Sequence, residues 1–124
     1  VNVAVSGGLD MLVEDYSFGR IVIGGKVYSN DVIVSKDWIK PNWWRKEGHR
    51  VYLEDIREIL ERKPEVVVFG TGAYGIVKVE KEVVEELKKR GIEVICEPTA
   101  KAVEIYNKLL KEGKNVVLAA HLTC

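Results

Sequence analysis

The chain has no glutamine, a single methionine and only two cysteines. Cys96 and Cys124 stand outside any Cys-x-x-Cys spacing, which argues against a disulfide framework and against a zinc site. Two such thiols are reduced by default, which points to a cytoplasmic setting. Histidine is nearly as scarce: His49 and His121 are far apart, and neither lies in a His-Glu-x-x-His frame. No serine sits in a Gly-x-Ser-x-Gly elbow. Neither charge is in excess, with 19 Lys and Arg against 19 Asp and Glu. No global field therefore draws the chain to nucleic acid or to an anionic membrane. No apolar run reaches the roughly 20 residues that a spanning helix needs, and nothing reads as a transit peptide. These absences leave no metal site, cofactor or catalytic residue to nominate. Cys96 reads as a small hydrophobe at the end of a buried strand, and Cys124 as a poor nucleophile on a mobile end.

What is present is enough for one core: 124 residues, 47% of them hydrophobic. The charge is mostly Lys and Glu, the bias of a thermophile's exposed ion-pair networks. The first ten residues read differently from the rest. They include Ser6-Gly7-Gly8 and precede Met11, so residues 1–10 are expected to be a leader or flexible extension, with Val1–Val5 as an edge strand the alternative. Residues 11–124 are expected to form a single α/β domain.

Ile21–Ile23 and Lys26–Ser29 are β-prone runs around Gly24-Gly25, the pair that a tight hairpin turn demands. Asp31–Ser35 is a further strand. Lys36–Arg50 has no steady period and reads as a long loop, and long ordered loops are often functional. Leu53–Arg62 has one apolar face and ends before Pro64, which predicts a helix, although Tyr52 is no N-cap. After it come strand Val66–Phe69, helix Glu80–Arg90, strand Glu93–Cys96 and helix Ala100–Glu112, the last capped by Thr99. Glu85–Lys89 and Glu86–Arg90 are expected as i,i+4 pairs. Asn115–Ala120 is continuously apolar and therefore a central strand. The alternation predicts an α/β fold with an N-terminal β-hairpin layer.

Two stretches are candidate sites. The first is Gly70-Thr71-Gly72-Ala73-Tyr74-Gly75, a Gly-x-Gly-x-x-Gly spacing at the end of a strand. Backbone N–H groups of Thr71, Gly72 and Ala73 could hold a small anion, with Glu97 on the same rim where a ribose-binding acid would fall. The helix of a dinucleotide site is missing, because Ile76–Val79 reads as extended chain. Tight turning and close packing against Tyr74 account for the glycines better than a ligand does, because the spacing stands without its helix. The second stretch is Asn42–His49, where Trp43, Trp44, Arg45 and His49 suggest a recognition surface. Lys36–Arg50 carries a local charge of +3, with Asp37 and Glu47 its only acids. Adjacent tryptophans cannot share one face, so at least one is expected near the surface. Binding of a protein partner or a small anion thus outweighs catalysis, nucleic acid is disfavoured by the balanced charge, and homo-oligomers remain open.

From Tyr16 to Cys124 the chain resembles the uncharacterised Mth-domain family, which includes the adipogenesis-associated Mth-domain protein and mitochondrial complex I assembly factor 3. The residues that carry the resemblance are Tyr16-Ser17-Phe18-Gly19-Arg20-Ile21, Trp44-Arg45 with Gly48-His49, Lys63-Pro64-Glu65, Gly70-Thr71-Gly72, and Thr99, Ala102-Val103 and Tyr106-Asn107. The resemblance implies a three-layer single domain with a mixed central sheet, flanking helices and an accessory hairpin. It implies no established reaction, and an assembly-type association with other proteins. If the last strand is the one that runs against its neighbours, His121 and Cys124 fall on the rim opposite Gly70.

Overall fold

The computed structural model describes residues 10–124. The expected leader and the alternative strand Val1–Val5 lie almost wholly outside them. Valine and isoleucine dominate the runs that become strands, because branched side chains suit a pleated, packed surface. The central sheet has five strands in the order β5 (Trp38–Lys40), β4 (Val32–Ser35), β10 (Val116–His121), β7 (Val66–Thr71) and β9 (Glu93–Glu97). Strands β10, β7 and β9 are parallel, β4 runs against β10, and β5 is in turn antiparallel to β4, so the sheet is mixed.

Both faces of this sheet are covered. Val66 and Val68 point with Val116, Leu118 and Ala120 into one cluster, against α3 (Thr99–Lys111) and the small sheet. That small sheet is antiparallel, made of β1 (Val13–Ser17), β2 (Arg20–Ile23) and β3 (Lys26–Tyr28). Val67, Phe69, Val117 and Ala119 point to the other side, where Trp43, α1 (Arg57–Arg62) and α2 (Lys81–Lys89) pack. Alternate residues of one strand thus serve two cores, which is why β7 and β10 are apolar without interruption.

The hairpin turn is as expected, with Gly24 and Gly25 both at positive φ. Other elements differ from expectation for identifiable reasons. Strand β1, Val-Glu-Asp-Tyr-Ser, is too charged to read as a strand, yet only Val13 of it is buried, so its polar residues cost nothing at the surface. The long loop contains β5, an edge strand whose pairing with β4 supplies what its sequence lacks. Leu53–Ile56 forms a 3-10 turn before α1, started by Asp55, whose carboxylate accepts the Tyr52 N–H at 2.8 Å. In α2 the Glu86–Arg90 pair forms at 2.8 Å, whereas Lys81 takes Glu85 at 3.8 Å in place of the expected Glu85–Lys89 pair. Cys96 is exposed and not buried, because β9 is an edge strand.

The last strand runs against only one of its neighbours, β4, and that is not the neighbour that carries the glycine-rich loop. It pairs in parallel with β7, with His121 opposite Thr71. The strand that opposes the others is β4, antiparallel to both β10 and β5. His121 therefore shares a rim with the glycine-rich loop, which corrects the expected separation and assembles the site described next.

Candidate functional site

In a sheet of this type, ligands gather at the carboxyl ends of the parallel strands. Here that rim holds Thr71 at the end of β7, His121 at the end of β10 and Glu97 at the end of β9. Because β4 runs the opposite way, its start brings Asp31 to the same rim. A two-stranded parallel pairing between β6 (Arg50–Val51) and β8 (Lys78–Val79) ties the tryptophan loop to the chain leaving the glycine-rich loop. The two stretches picked from the sequence are thus neighbours.

The glycine-rich loop turns inward rather than outward. Thr99, completely buried, accepts the Gly72 N–H at 2.9 Å through Oγ1 and donates its hydroxyl to the His121 carbonyl at 2.6 Å. The Ala73 N–H donates to the Thr123 carbonyl at 2.8 Å. The anion cradle expected from Thr71, Gly72 and Ala73 is corrected in this respect: two of its three donors are spent inside the fold. Gly70 is needed because a Cβ there would lie 3.0 Å from Thr99 Oγ1. Gly75 adopts φ +71 in a turn whose N–H returns to the Gly72 carbonyl at 3.3 Å. Glu97 pairs in register with Gly70 and makes no ion pair among the described residues. Thr99 also does not cap its helix as expected, since its hydroxyl is committed to β7 and β10. Thr99→Val, close in shape but without the hydroxyl, is expected to leave one buried N–H and one buried carbonyl unpaired. The cost is about 2 kcal/mol, readable by chemical denaturation, with faster amide exchange at Gly72.

The tryptophan loop divides its residues between inside and outside. Asn42 takes φ +57, a conformation Asn tolerates, and beyond it Trp43 is buried while Trp44 is 73% exposed. Trp43 donates its indole N–H to the Asp55 carbonyl at 2.9 Å, and its backbone N–H to the Asp31 carbonyl at 2.8 Å. Arg45 folds back over the Trp43 ring, 4.6 Å from its centre, leaving its side chain only 3% exposed. The guanidinium touches Asp31 at 2.8 Å and donates to the Gly48 carbonyl at 2.6 Å. The Asp31 contact is a charge pair that is poorly aligned as a hydrogen bond, and the buried Nε has no acceptor. Of the four candidates in this loop, Trp43 and Arg45 are structural supports, and Trp44 and His49 reach the surface.

Asp31 is the residue that sequence reasoning missed. It is the first residue of the predicted strand Asp31–Ser35, one position before the observed one, with no motif around it, and only the sheet order gives it partners 90 positions away. Its Oδ1 accepts the Leu122 N–H at 2.9 Å, and its Oδ2 lies 2.6 Å from His121 Nδ1. Arg45 Nη2 is also 3.1 Å from that nitrogen. Nδ1 cannot accept from Arg45 and donate to Asp31 at once, and the shorter contact, to an ionised carboxylate that can only accept, assigns the proton to Nδ1, so that Arg45 touches the ring without a hydrogen bond. The other ring nitrogen, Nε2, is then free to accept from the Thr123 hydroxyl at 3.2 Å. His49 stands edge-on to His121, with ring centres 5.8 Å apart. A pocket of about 250 Å³ opens over this group, lined among others by Asn30, Trp44, Arg45, His121 and Thr123.

Burial pushes the Asp31 carboxyl upward, but the His121 hydrogen bond, the Leu122 N–H and the charges of His121 and Arg45 outweigh it, and the net shift is downward. A carboxylate whose folded pKa is depressed stabilises the fold above its unfolded value, near 3.9. That contribution is lost as pH falls through the folded value. Wild-type protein is therefore expected to lose stability below about pH 4 more steeply than Asp31→Asn, as measured by urea unfolding across an acid series.

Residues 13–121 match the model of a family described as a protein of unknown function (DUF498/DUF598). The chain belongs to this family. Its fold is shared with several solved structures. A conserved hypothetical protein from Pyrococcus horikoshii OT3 is 25% identical, with a TM-score of 0.81 over 92% of this chain and 100% of that one. A Mth938-like domain from Bordetella pertussis is 19% identical, with a TM-score of 0.66 over 98% of this chain and 91% of the other. A protein described as an outer membrane protein from Bartonella henselae is 23% identical, with a TM-score of 0.77 over 90% and 94%. The expected family is thus found, at the level of an uncharacterised α/β domain. No helix among the described residues is long and apolar enough to cross a membrane.

Proposed function

We propose that this DUF498/DUF598 domain is a non-enzymatic binding module that engages another protein through the rim around Asp31 and His121. One observation carries the reading. Of the five large hydrophobic side chains exposed among the described residues, Phe18, Trp44, Tyr74 and Ile76 belong to loops that meet at this rim. The Phe18 and Tyr74 rings are 6.4 Å apart, and the Gly19 N–H on the Phe18 turn donates to the Leu122 carbonyl at 2.9 Å. Exposed apolar residues scattered singly need no explanation, but a cluster on loops fixed by a rigid sheet is the usual form of a contact surface. Aromatic residues around a polar centre also match the composition of interface hot spots. The assembly role implied by the family resemblance fits such a surface.

The reading is tested at Trp44. Trp44→Ala removes a side chain that supports nothing beneath it, so stability is expected to change by less than about 0.5 kcal/mol. A photo-crosslinking residue in place of Trp44 or Tyr74 is expected to capture one and the same protein from native cells, and the same residue in place of Lys101 on α3 is expected not to. Equal capture from both places, or none from the rim, removes the support for this surface. Capture of a second copy of the chain makes the partner itself.

A further inference from the structure

The buried polar centre of the rim holds an arrangement that a contact surface does not require. Asp31 Oδ2, His121 Nδ1, His121 Nε2 and Thr123 Oγ1 form one hydrogen-bonded line, with steps of 2.6 Å and 3.2 Å. We propose that this line is a nucleophile relay and that Thr123 accepts an acyl group from an activated ester or thioester entering the pocket. The proposal goes beyond the binding reading and does not depend on it.

Three features make the hydroxyl an addressable nucleophile. The imidazole is held in the Nδ1–H tautomer by an ionised, half-fixed carboxylate, which leaves Nε2 as a base directed at the hydroxyl. The second Asp31 oxygen is fixed by the Leu122 N–H at 2.9 Å, so the carboxylate cannot turn away from the ring. His121 and Thr123 both line the 250 Å³ pocket, and so does Asn30, whose amide uses one hydrogen on Asn42 at 2.8 Å and retains another for a developing oxyanion.

The step balances without any further reagent. Thr123 Oγ1 bonds to the acyl carbon as its proton passes to His121 Nε2, and the bond from that carbon to the leaving oxygen or sulfur breaks. The proton then moves from Nε2 to the leaving group. The product is an ester on Thr123 and a free alcohol, phenol or thiol. Thr123 and His121 touch the reacting atoms, while Asp31 acts through His121 as a positioning residue.

The probe is p-nitrophenyl acetate on the whole protein. Release of p-nitrophenolate in an amount equal to the protein is expected, with peptide sequencing by mass spectrometry placing the acetyl group on Thr123. Thr123→Val is expected to abolish that label with its melting temperature close to wild type, and Thr123→Ser is expected to restore it. Asp31→Asn is expected to slow labelling at least tenfold. Imidazole nitrogen chemical shifts are expected to show His121 leaving the Nδ1–H tautomer in that variant, a change that loss of stability alone does not produce. Label found on Cys124, a lysine or a tyrosine, or undiminished in Thr123→Val, overturns the proposal. None of these outcomes bears on capture of a partner through Trp44, so the two readings fail separately.

Discussion

Arg45→Ala is expected to unfold the domain at a temperature at least 10 °C below wild type, a loss of roughly 3 kcal/mol. Removing one member of a buried ion pair leaves the other charge uncompensated. Here the remaining charge is Asp31, 15% exposed, and the loss sits at the low end of the usual range because Asp31 keeps the Leu122 N–H and His121. The substitution also uncovers the Trp43 ring on which the guanidinium lies. Arg50→Ala is the matched control: that arginine bridges Glu80 at 2.8 Å at the surface, and its loss is expected to move the melting temperature far less. Equal shifts in the two variants, by calorimetry, would mean that Arg45 is an ordinary recognition residue and not a support of the rim.

Gly72→Val is the second large effect. Gly72 adopts φ +100, a region closed to branched side chains, at a strain of roughly 1–3 kcal/mol. Space is a separate obstacle. A Cβ would stand 2.8 Å from the Thr123 carbonyl oxygen, 3.0 Å from His121 Cδ2 and 3.1 Å from the Cys124 carbonyl oxygen. Two of these neighbours are backbone and cannot swing aside, so overpacking adds about 1–3 kcal/mol more. Glu97→Ala, on the half-exposed end of β9, is expected to be nearly silent by the same measurement. Wild-type stability in Gly72→Val would mean that the loop and the chain after β10 are not packed as described.

The Gly72 contacts also explain what the glycine spacing is for. A Gly-x-Gly-x-x-Gly run reads as a device for bringing a ligand close to backbone. In this fold the close approach is made by the chain itself, because Thr123 and Cys124 pass where a phosphate would lie. Spacing in sequence records that something must come near Gly72, and it does not record what. Trp43 and Trp44 were legible in the same partial way. Their adjacency required that they face apart, but which one is buried depends on Asn42 turning the chain and on Asp55 offering a carbonyl to the indole.

Local pattern by itself determined the strands β2, β3, β4, β7, β9 and β10, the helices α2 and α3, the hairpin turn at Gly24-Gly25 and the central place of the last strand. Each of these follows from apolar period, turn residues or caps within about ten positions. The direction of β10, the pairing of β5 and the existence of β1 were decided only by tertiary structure, since neither short charged strands nor strand direction carries a local signal. The rim's polar centre belongs to the same class. Asp31, Arg45 and the His121–Thr123 segment come from three different parts of the chain, and no short motif joins the three. They meet because β4 runs against β10 and brings the start of one strand to the end of the other.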